Sequence, residues 1–123
     1  MPELQWHAQA VPFYDYPREG SRAAAMLAGG HCIPIMLPEV GRMIWHKLYV
    51  STNRTRECAK AEKDLVQAVT LGAIVIEQDG TRLRQSFRRA PPELRKAVVY
   101  RLPRIEALLA EHPQALDGFR ELR

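Results

Sequence analysis

The sequence is poor in cysteine, with only Cys32 and Cys58 in 123 residues. Two cysteines cannot build the disulfide framework that holds many small secreted domains together. The first residues also lack a basic segment followed by an apolar core, which is the pattern of a secretory signal. These absences predict a cytoplasmic protein in which both cysteines act as small apolar residues in the interior.

Long apolar runs are missing as well. No segment approaches the ~18 apolar residues that a helix needs to cross a bilayer, so no membrane partner is expected. The composition, 46% apolar and 26% charged, is ordinary for a globular chain. A length of 123 residues suits one compact domain.

Several common arrangements of catalytic or metal-binding residues do not occur. The histidines lie far apart in sequence and no Cys-x-x-Cys is present, so a zinc site has little support. No glycine-rich loop precedes Lys-Ser or Lys-Thr, which excludes a P-loop. No strained nucleophile turn supports a Ser-His-Asp triad. These motifs therefore supply neither a catalytic residue nor a metal ligand.

The pattern of the chain changes near residue 52. In residues 1–52, short apolar runs alternate with proline and glycine, which predicts a short helix over 22–28, a turn at Gly29-Gly30 and a strand over 31–37. Pro34 places that strand at a sheet edge, and residues near 11–15 are expected in the same sheet. Pro38 then opens a helix over about 39–50.

Residues 53–123 are predicted to form the helical portion of the same domain. The expected helices cover about 56–77 and 81–89, separated by a break at 78–80, then a helix from 91 that Pro103 kinks or restarts, and a last short helix. In the first of these, one face should pack in the core: Cys58, Ala61, Leu65, Ala68, Val69, Gly72 and Ile76. The predicted fold is α+β and mostly helical, with a small, edge-exposed sheet packed on a C-terminal helical layer.

One lysine interrupts an apolar helix face. On a helical wheel the apolar stripe of the helix over 39–50 consists of Val40, Met43, Ile44 and Leu48. Lys47 falls in the middle of that stripe. Its ammonium must extend to water, pair with a carboxylate or face an anion in a cleft. We favour a phosphate contact, and extension to water is the alternative.

Nearly all the excess positive charge lies in one block. Residues 81–105 carry eight basic side chains against Glu93 alone, a net charge of +7, whereas the whole chain has +4. Such a block attracts polyanions over long distances. Arg82, Arg84, Arg88 and Arg89 are the candidate polyanion patch, and a solvated helix face that meets acids elsewhere is the alternative.

The stretch from Ile33 through Leu71 resembles the nucleotidyltransferase-like proteins of bacteria, in the nucleotidyltransferase-fold superfamily. The matching residues are His46-Lys47-Leu48-Tyr49-Val50-Ser51 after a strand that ends in Pro38, the turn Asn53-Arg54, and Lys60-x-x-Lys63-Asp64-Leu65-x-Gln67-Ala68. The resemblance implies that Lys47, Lys63, Asp64 and the adjacent Lys60 lie near a nucleotide. Lys60 and Asp64, four residues apart, could equally form a plain surface ion pair.

The carboxylates that such enzymes use are not found. The resemblance implies a Gly-Ser or Gly-Gly turn followed by a strand with Asp-x-Asp, whose carboxylates hold two Mg²⁺ ions. Glu62 and Asp64 lie in a helix on nearly opposite faces, and Glu77 and Asp79 lie at a predicted break. The chain therefore resembles only the C-terminal portion of such a domain. Mg²⁺ and a nucleoside triphosphate are expected only if a missing N-terminal half is supplied.

Three functions remain open at this point. The chain is a nucleotidyltransferase-like protein without its own metal carboxylates, noncatalytic alone or completed by a missing N-terminal half. Alternatively, it is a basic helical module that binds nucleic acid, with affinity that falls steeply as salt rises. As a third possibility, it is a scaffold protein that forms a homodimer through an exposed sheet edge.

Overall fold

The structure, a computed structural model, describes residue 13 and residues 15–53 and 58–122. It contains five helices and two strands within these ranges. In chain order they are α1 (Asp15–Arg18), β1 (Arg22–Ala28), β2 (His31–Leu37), α2 (Val40–Asn53), α3 (Cys58–Arg88), α4 (Pro92–Leu108) and α5 (Pro113–Arg120). The α+β, mostly helical class is thus confirmed.

The two strands form an antiparallel hairpin in which Ala28 pairs with His31 and Arg22 with Leu37. Gly29 and Gly30 have φ values of 56° and 78°, the left-handed pair that a two-residue type I′ turn requires. The strand over 31–37 and this turn are confirmed. The helix predicted over 22–28 was wrong, because pairing with β2 outweighs the helical preference of three successive alanines.

The sheet differs from expectation in its partner strand. Asp15 starts α1 rather than lying in a strand, and residues 11, 12 and 14 of the strand expected near 11–15 lie outside the described residues. Along both strands only Ala24 and Ile35 are half-buried. Within the described residues, the hydrophobic core contains no residue of the hairpin, and most of the sheet is exposed.

Helix α2 begins at Val40, where the Glu39 carboxylate accepts hydrogen bonds from the backbone N–H groups of Gly41 and Arg42 at 3.1 and 2.8 Å. An acidic N-cap satisfies donors that the first turn leaves unpaired and complements the helix dipole. Helix α3 bends at Asp79, whose φ of −162° and ψ of 88° are not helical. The break expected over 78–80 is therefore confirmed. Residue 56, where the helix before this break was predicted to start, lies outside the described residues.

Helices α2 to α5 enclose one core. Trp45 lies at its centre with no exposed surface, and its ring makes edge-on contacts with Phe87 and Phe119 at centroid distances of 5.2 and 5.8 Å. Its indole N–H donates to the Leu83 carbonyl oxygen at 3.1 Å and to Ser86 Oγ at 3.0 Å. These contacts fix α2 against α3 and α5 and so determine where the next residues of α2 point.

Both cysteines differ from prediction, because Cys32 and Cys58 are exposed. Cys32 lies on a hairpin that nothing in the core covers, and Cys58 is the first residue of α3, before the helix reaches the core. The remaining predicted face of α3 is confirmed at its centre, where Leu65, Ala68 and Val69 are buried. No helix within the described ranges is long and apolar enough to cross a bilayer.

Candidate functional site

Lys47 projects from α2 toward α3, where its Nζ lies 3.7 Å from Oδ1 of Asp64. The apolar neighbours Ile44 and Leu48 are fully buried, so the lysine stem leaves the core beside them and its ammonium emerges at the helix junction. The side chain retains 33% exposure and that of Asp64 19%. The sequence placed Lys47 within the apolar stripe, and the structure shows a half-buried cation that faces a carboxylate.

The separation in this ion pair matters chemically. A charged N–H···O hydrogen bond measures about 2.7–2.9 Å, so the 3.7 Å contact is electrostatic and longer than a hydrogen bond. An ammonium group has three donor protons. The Lys47 ammonium is therefore oriented by Asp64 while retaining the capacity to donate to an anion.

The other two predicted lysines lie on α3 and are exposed. Lys60 precedes Asp64 by one helical turn, which places it along the same side of α3. Lys63 is adjacent to Asp64 in sequence and points to a different side of the helix. The structure thus brings Lys47 and Asp64 together, whereas a phosphate contact of Lys60 or Lys63 stays a prediction, as does the Lys60–Asp64 ion pair.

The predicted polyanion patch divides into two kinds of arginine. Arg82 Nε contacts the Glu39 carboxylate at 3.0 Å, and Arg84 contacts Glu121 at 2.9 Å. Arg88 and Arg89 are exposed at the end of α3 and just beyond it. Part of the basic block is therefore paired with acids of the same chain, in line with the alternative of a solvated helix face that meets acids elsewhere. Binding of a polyanion by this block stays a prediction.

A cluster around Arg42 was not anticipated from the sequence. Its guanidinium donates to Glu19 at 2.8 Å and to the Tyr16 carbonyl at 3.1 Å, and it lies 5.1 Å from the centre of the Tyr16 ring. The Tyr16 hydroxyl donates to the Ser86 carbonyl at 2.6 Å. Burial raises the pKa of the Tyr16 phenol well above its usual range, and the positive charge of Arg42 opposes that shift. The cluster fastens α1 to α2 and α3.

An open cavity of about 380 Å³ lies between α1, the end of β2 and α2. Met36, Pro38 and Met43 form apolar walls, and Arg18 and His46 contribute polar groups. His46 precedes Lys47 in α2, so the cavity and the Lys47 ammonium lie on neighbouring sides of one helix. No local sequence pattern indicates this cavity, because residues from three separate elements line it.

The arrangement of potential metal ligands bears on the Mg²⁺ ions that the resemblance implies. No three side chains among histidine, cysteine, aspartate and glutamate come together within residues 15–53 and 58–122 in a way that could hold a metal ion. Magnesium needs oxygen ligands, above all carboxylates, at close and regular distances. Mg²⁺ held by one or two carboxylates together with substrate phosphates does not need such a cluster, and the expected dependence of Mg²⁺ on a further N-terminal half stays a prediction.

Comparison with known proteins identifies the family. The model of a family described as nucleotidyltransferase matches residues 1–92. The chain belongs to this nucleotidyltransferase family. The match includes α2 with Lys47 and the part of α3 with Asp64, and it ends at the first residue of α4. No curated protein and no solved structure matches the chain.

Glu39 is the other residue whose role became visible only in the structure. It caps α2 and also accepts from Arg82, so one carboxylate joins the start of α2 to the basic segment of α3. Acidic residues are enriched in the first turn of a helix, where they complement the helix dipole, but the preferred N-cap residues are Ser, Thr, Asp and Asn. Its ion pair with Arg82, 43 residues away in sequence, had no signal in the sequence.

Proposed function

We propose that this member of the nucleotidyltransferase family binds the phosphates of a nucleotide through Lys47, and that it transfers no nucleotide by itself. The carboxylates for its metal ions would come from an N-terminal half supplied by another polypeptide segment. The single observation that supports the binding role is the half-buried Lys47 ammonium held 3.7 Å from Asp64. The family match over residues 1–92 supports a nucleotide as the class of ligand.

The environment of Lys47 suits a phosphate better than bulk water. Its neighbours Ile44 and Leu48 limit solvent on one side, and a lower local dielectric strengthens the attraction between an ammonium and an anion. A phosphate oxygen accepts short, charge-assisted hydrogen bonds from an ammonium. Asp64 would keep the side chain in place before the nucleotide arrives, which reduces the entropy lost on binding.

The noncatalytic part of the proposal depends on the missing carboxylates. Nucleotidyl transfer with two Mg²⁺ ions needs acidic side chains that clamp both ions near the attacking and leaving oxygens. Glu62 and Asp64, two positions apart on a helix, project to different sides, and Glu62 is engaged by Arg104 of α4. We therefore derive no metal-dependent step for the chain alone.

Titration of the protein with ATP tests the binding role. Lys47→Met should weaken binding by about tenfold or more, the usual cost of losing a charged hydrogen bond. Lys96→Met removes the same charge from an exposed position on α4 and should leave the affinity unchanged. Equal weakening by both variants, or no binding by the wild type, would overturn the proposal.

Incubation of the wild-type chain with Mg²⁺, labelled nucleoside triphosphates and candidate acceptors tests the catalytic part. We expect no incorporation of label above that of a heat-denatured sample. Incorporation that the isolated chain sustains and that chelation of Mg²⁺ abolishes would show that it possesses a complete metal site. The binding role of Lys47 would survive that result, because the ATP titration measures it separately.

A further inference from the structure

Among the residues that the structure describes, no third strand pairs with the hairpin β1–β2 and no helix packs on it. Isolated two-stranded hairpins are marginally stable in water, and a third strand or a packed helix is normally required. Here neither strand contributes to the core, and Leu27 and Met36 are 82% and 64% exposed. Natural edge strands are usually protected by charged side chains, yet residues 23–37 contain no Lys, Arg, Asp or Glu.

The register shows which backbone groups face outward. In an antiparallel hairpin, pairs that exchange hydrogen bonds alternate with pairs whose N–H and C=O groups point away from the partner strand. Ala28 and His31 close the two-residue turn and form a hydrogen-bonded pair. By alternation the outward-facing positions are Ala23, Ala25 and Leu27 on β1 and Cys32, Pro34 and Met36 on β2.

The two edges are therefore unequal. Proline has no backbone N–H, so Pro34 removes the central donor from the outer edge of β2. The outer edge of β1 keeps all its donors and acceptors over Arg22–Ala28. A further strand would add to β1 and not to β2.

We propose that two copies of this chain associate by antiparallel pairing of β1 with β1 across a twofold axis at Ala25. In that register Ala25 lies opposite Ala25 of the second copy, and Ala23 lies opposite Leu27. The outward groups of the two copies then match each other at every position, giving about six main-chain hydrogen bonds. This inference is independent of the nucleotide-binding role of Lys47.

Charge and symmetry also favour a second copy as the occupant. Arg22, the charged residue of β1, would lie at opposite corners of the shared sheet and face Ala28, so like charges stay apart. An isologous twofold contact is closed. The resulting four-stranded sheet would end on the two β2 edges, where Pro34 limits addition of more strands, so we expect a dimer and not a filament.

Sedimentation across a range of protein concentrations tests the association. The wild type should form a dimer, and Ala25→Pro should raise the dissociation constant by at least about tenfold because it removes the central outward N–H. The hairpin itself does not use that N–H for its own ladder. Cys32→Pro makes the matching change on the outer edge of β2 and should leave the dimer intact.

Disulfide cross-linking tests the register without relying on a proline variant. In a background of Cys32→Ser and Cys58→Ser, Ala25→Cys should cross-link two copies on mild oxidation, since paired Cα atoms about 5.5 Å apart can form a disulfide. Ala23→Cys should not, because its Cα would lie roughly 14 Å from the same residue of the second copy. Mixing Ala23→Cys with Leu27→Cys should restore cross-linking.

The outcomes separate cleanly. A concentration-dependent dimer with cross-linking at position 25, and between positions 23 and 27, supports the proposal. A wild-type monomer at every concentration overturns it. A dimer that is unaffected by Ala25→Pro, or equal cross-linking of the Ala23→Cys and Ala25→Cys variants with themselves, would also overturn it.

Discussion

The helical body and the hairpin of this protein are stabilised in different ways. Helices α2 to α5 bury Trp45, Leu48 and Phe119 completely, whereas the hairpin exposes Met26, Leu27 and Met36. The body contains its own hydrophobic interior, while the hairpin has a formed backbone ladder and, among the described residues, no member in the core. A run of apolar residues in the sequence therefore does not by itself show where the core lies. Those residues form a core only where other elements pack over them.

The same difference concerns function. Lys47 belongs to the body, where packing of α2 against α3 fixes the position of its ammonium. Within the described residues, the hairpin has an outer edge on β1 with no partner strand, and it exposes apolar side chains. In our proposals, the body positions the Lys47 ammonium for a phosphate and the hairpin pairs with a second copy of the chain.

The largest expected effect on stability comes from removing an aromatic ring of the core, and truncation of an exposed hairpin side chain is the comparison. Phe119→Ala should lower the free energy of unfolding by about 3–5 kcal/mol, because it leaves a cavity beside Trp45. Leu27→Ala in β1 should change it by less than about 0.5 kcal/mol when measured at protein concentrations too low for association. Denaturant unfolding checks both, and similar losses would show that the hairpin shares the core.

Alanine substitutions at two glycines of α3 should change the free energy of unfolding by intermediate amounts and in opposite directions. A Cβ at Gly72 would lie 2.6 Å from Cζ of Phe119, whereas one at Gly80 meets nothing within 4 Å. Gly72→Ala should therefore destabilise the body by about 1–3 kcal/mol through overpacking. Gly80→Ala should stabilise it by up to about 1 kcal/mol, and a stabilising Gly72→Ala in thermal unfolding would contradict the packing described.

The smallest effect depends on pH. Tyr16→Phe should cost about 1 kcal/mol at neutral pH, because the buried Ser86 carbonyl loses a donor. The raised pKa of Tyr16 means that the folded protein keeps this proton after the unfolded chain has released it. Wild-type stability should therefore fall above about pH 10.

The Tyr16→Phe variant has no phenol proton to lose. The difference between its free energy of unfolding and that of the wild type should therefore shrink as the pH rises above about 10. Unfolding measured between neutral and alkaline pH checks this. Tyr100→Phe, at a side chain that is 79% exposed, serves as the control and should follow the wild type. A deficit of Tyr16→Phe that stays constant with pH would contradict the account.

Much of the helical body could be predicted from periodicity. The apolar stripe of α2 and the centre of the buried face of α3 follow the 3.6-residue repeat, and the break over 78–80 follows from Asp-Gly. The helix over 22–28 failed for a physical reason. Alanine favours helix in isolation. The tight turn at Gly29-Gly30 nevertheless places residues 22–28 beside β2, where they pair as a strand.

The candidate site could be predicted in part. Lys47 stood out because a cation interrupted an apolar stripe, and the family resemblance named Asp64 separately. Their contact depends on how α2 packs against α3, which the sequence does not specify locally. The same holds for three other features, which also join segments that are distant in sequence: the Arg42 cluster, the Glu39–Arg82 ion pair and the cavity near His46. No local sequence pattern predicts them.

Chemical labelling of lysines in the presence and absence of ATP tests the role of Lys47 most directly. A lysine-reactive reagent followed by mass spectrometry reports how accessible each ammonium is. We predict that saturating ATP slows modification of Lys47 while modification of Lys96 proceeds at its original rate. Modification of Lys47 at the same rate with and without ATP would contradict the claim that its ammonium binds the nucleotide's phosphates.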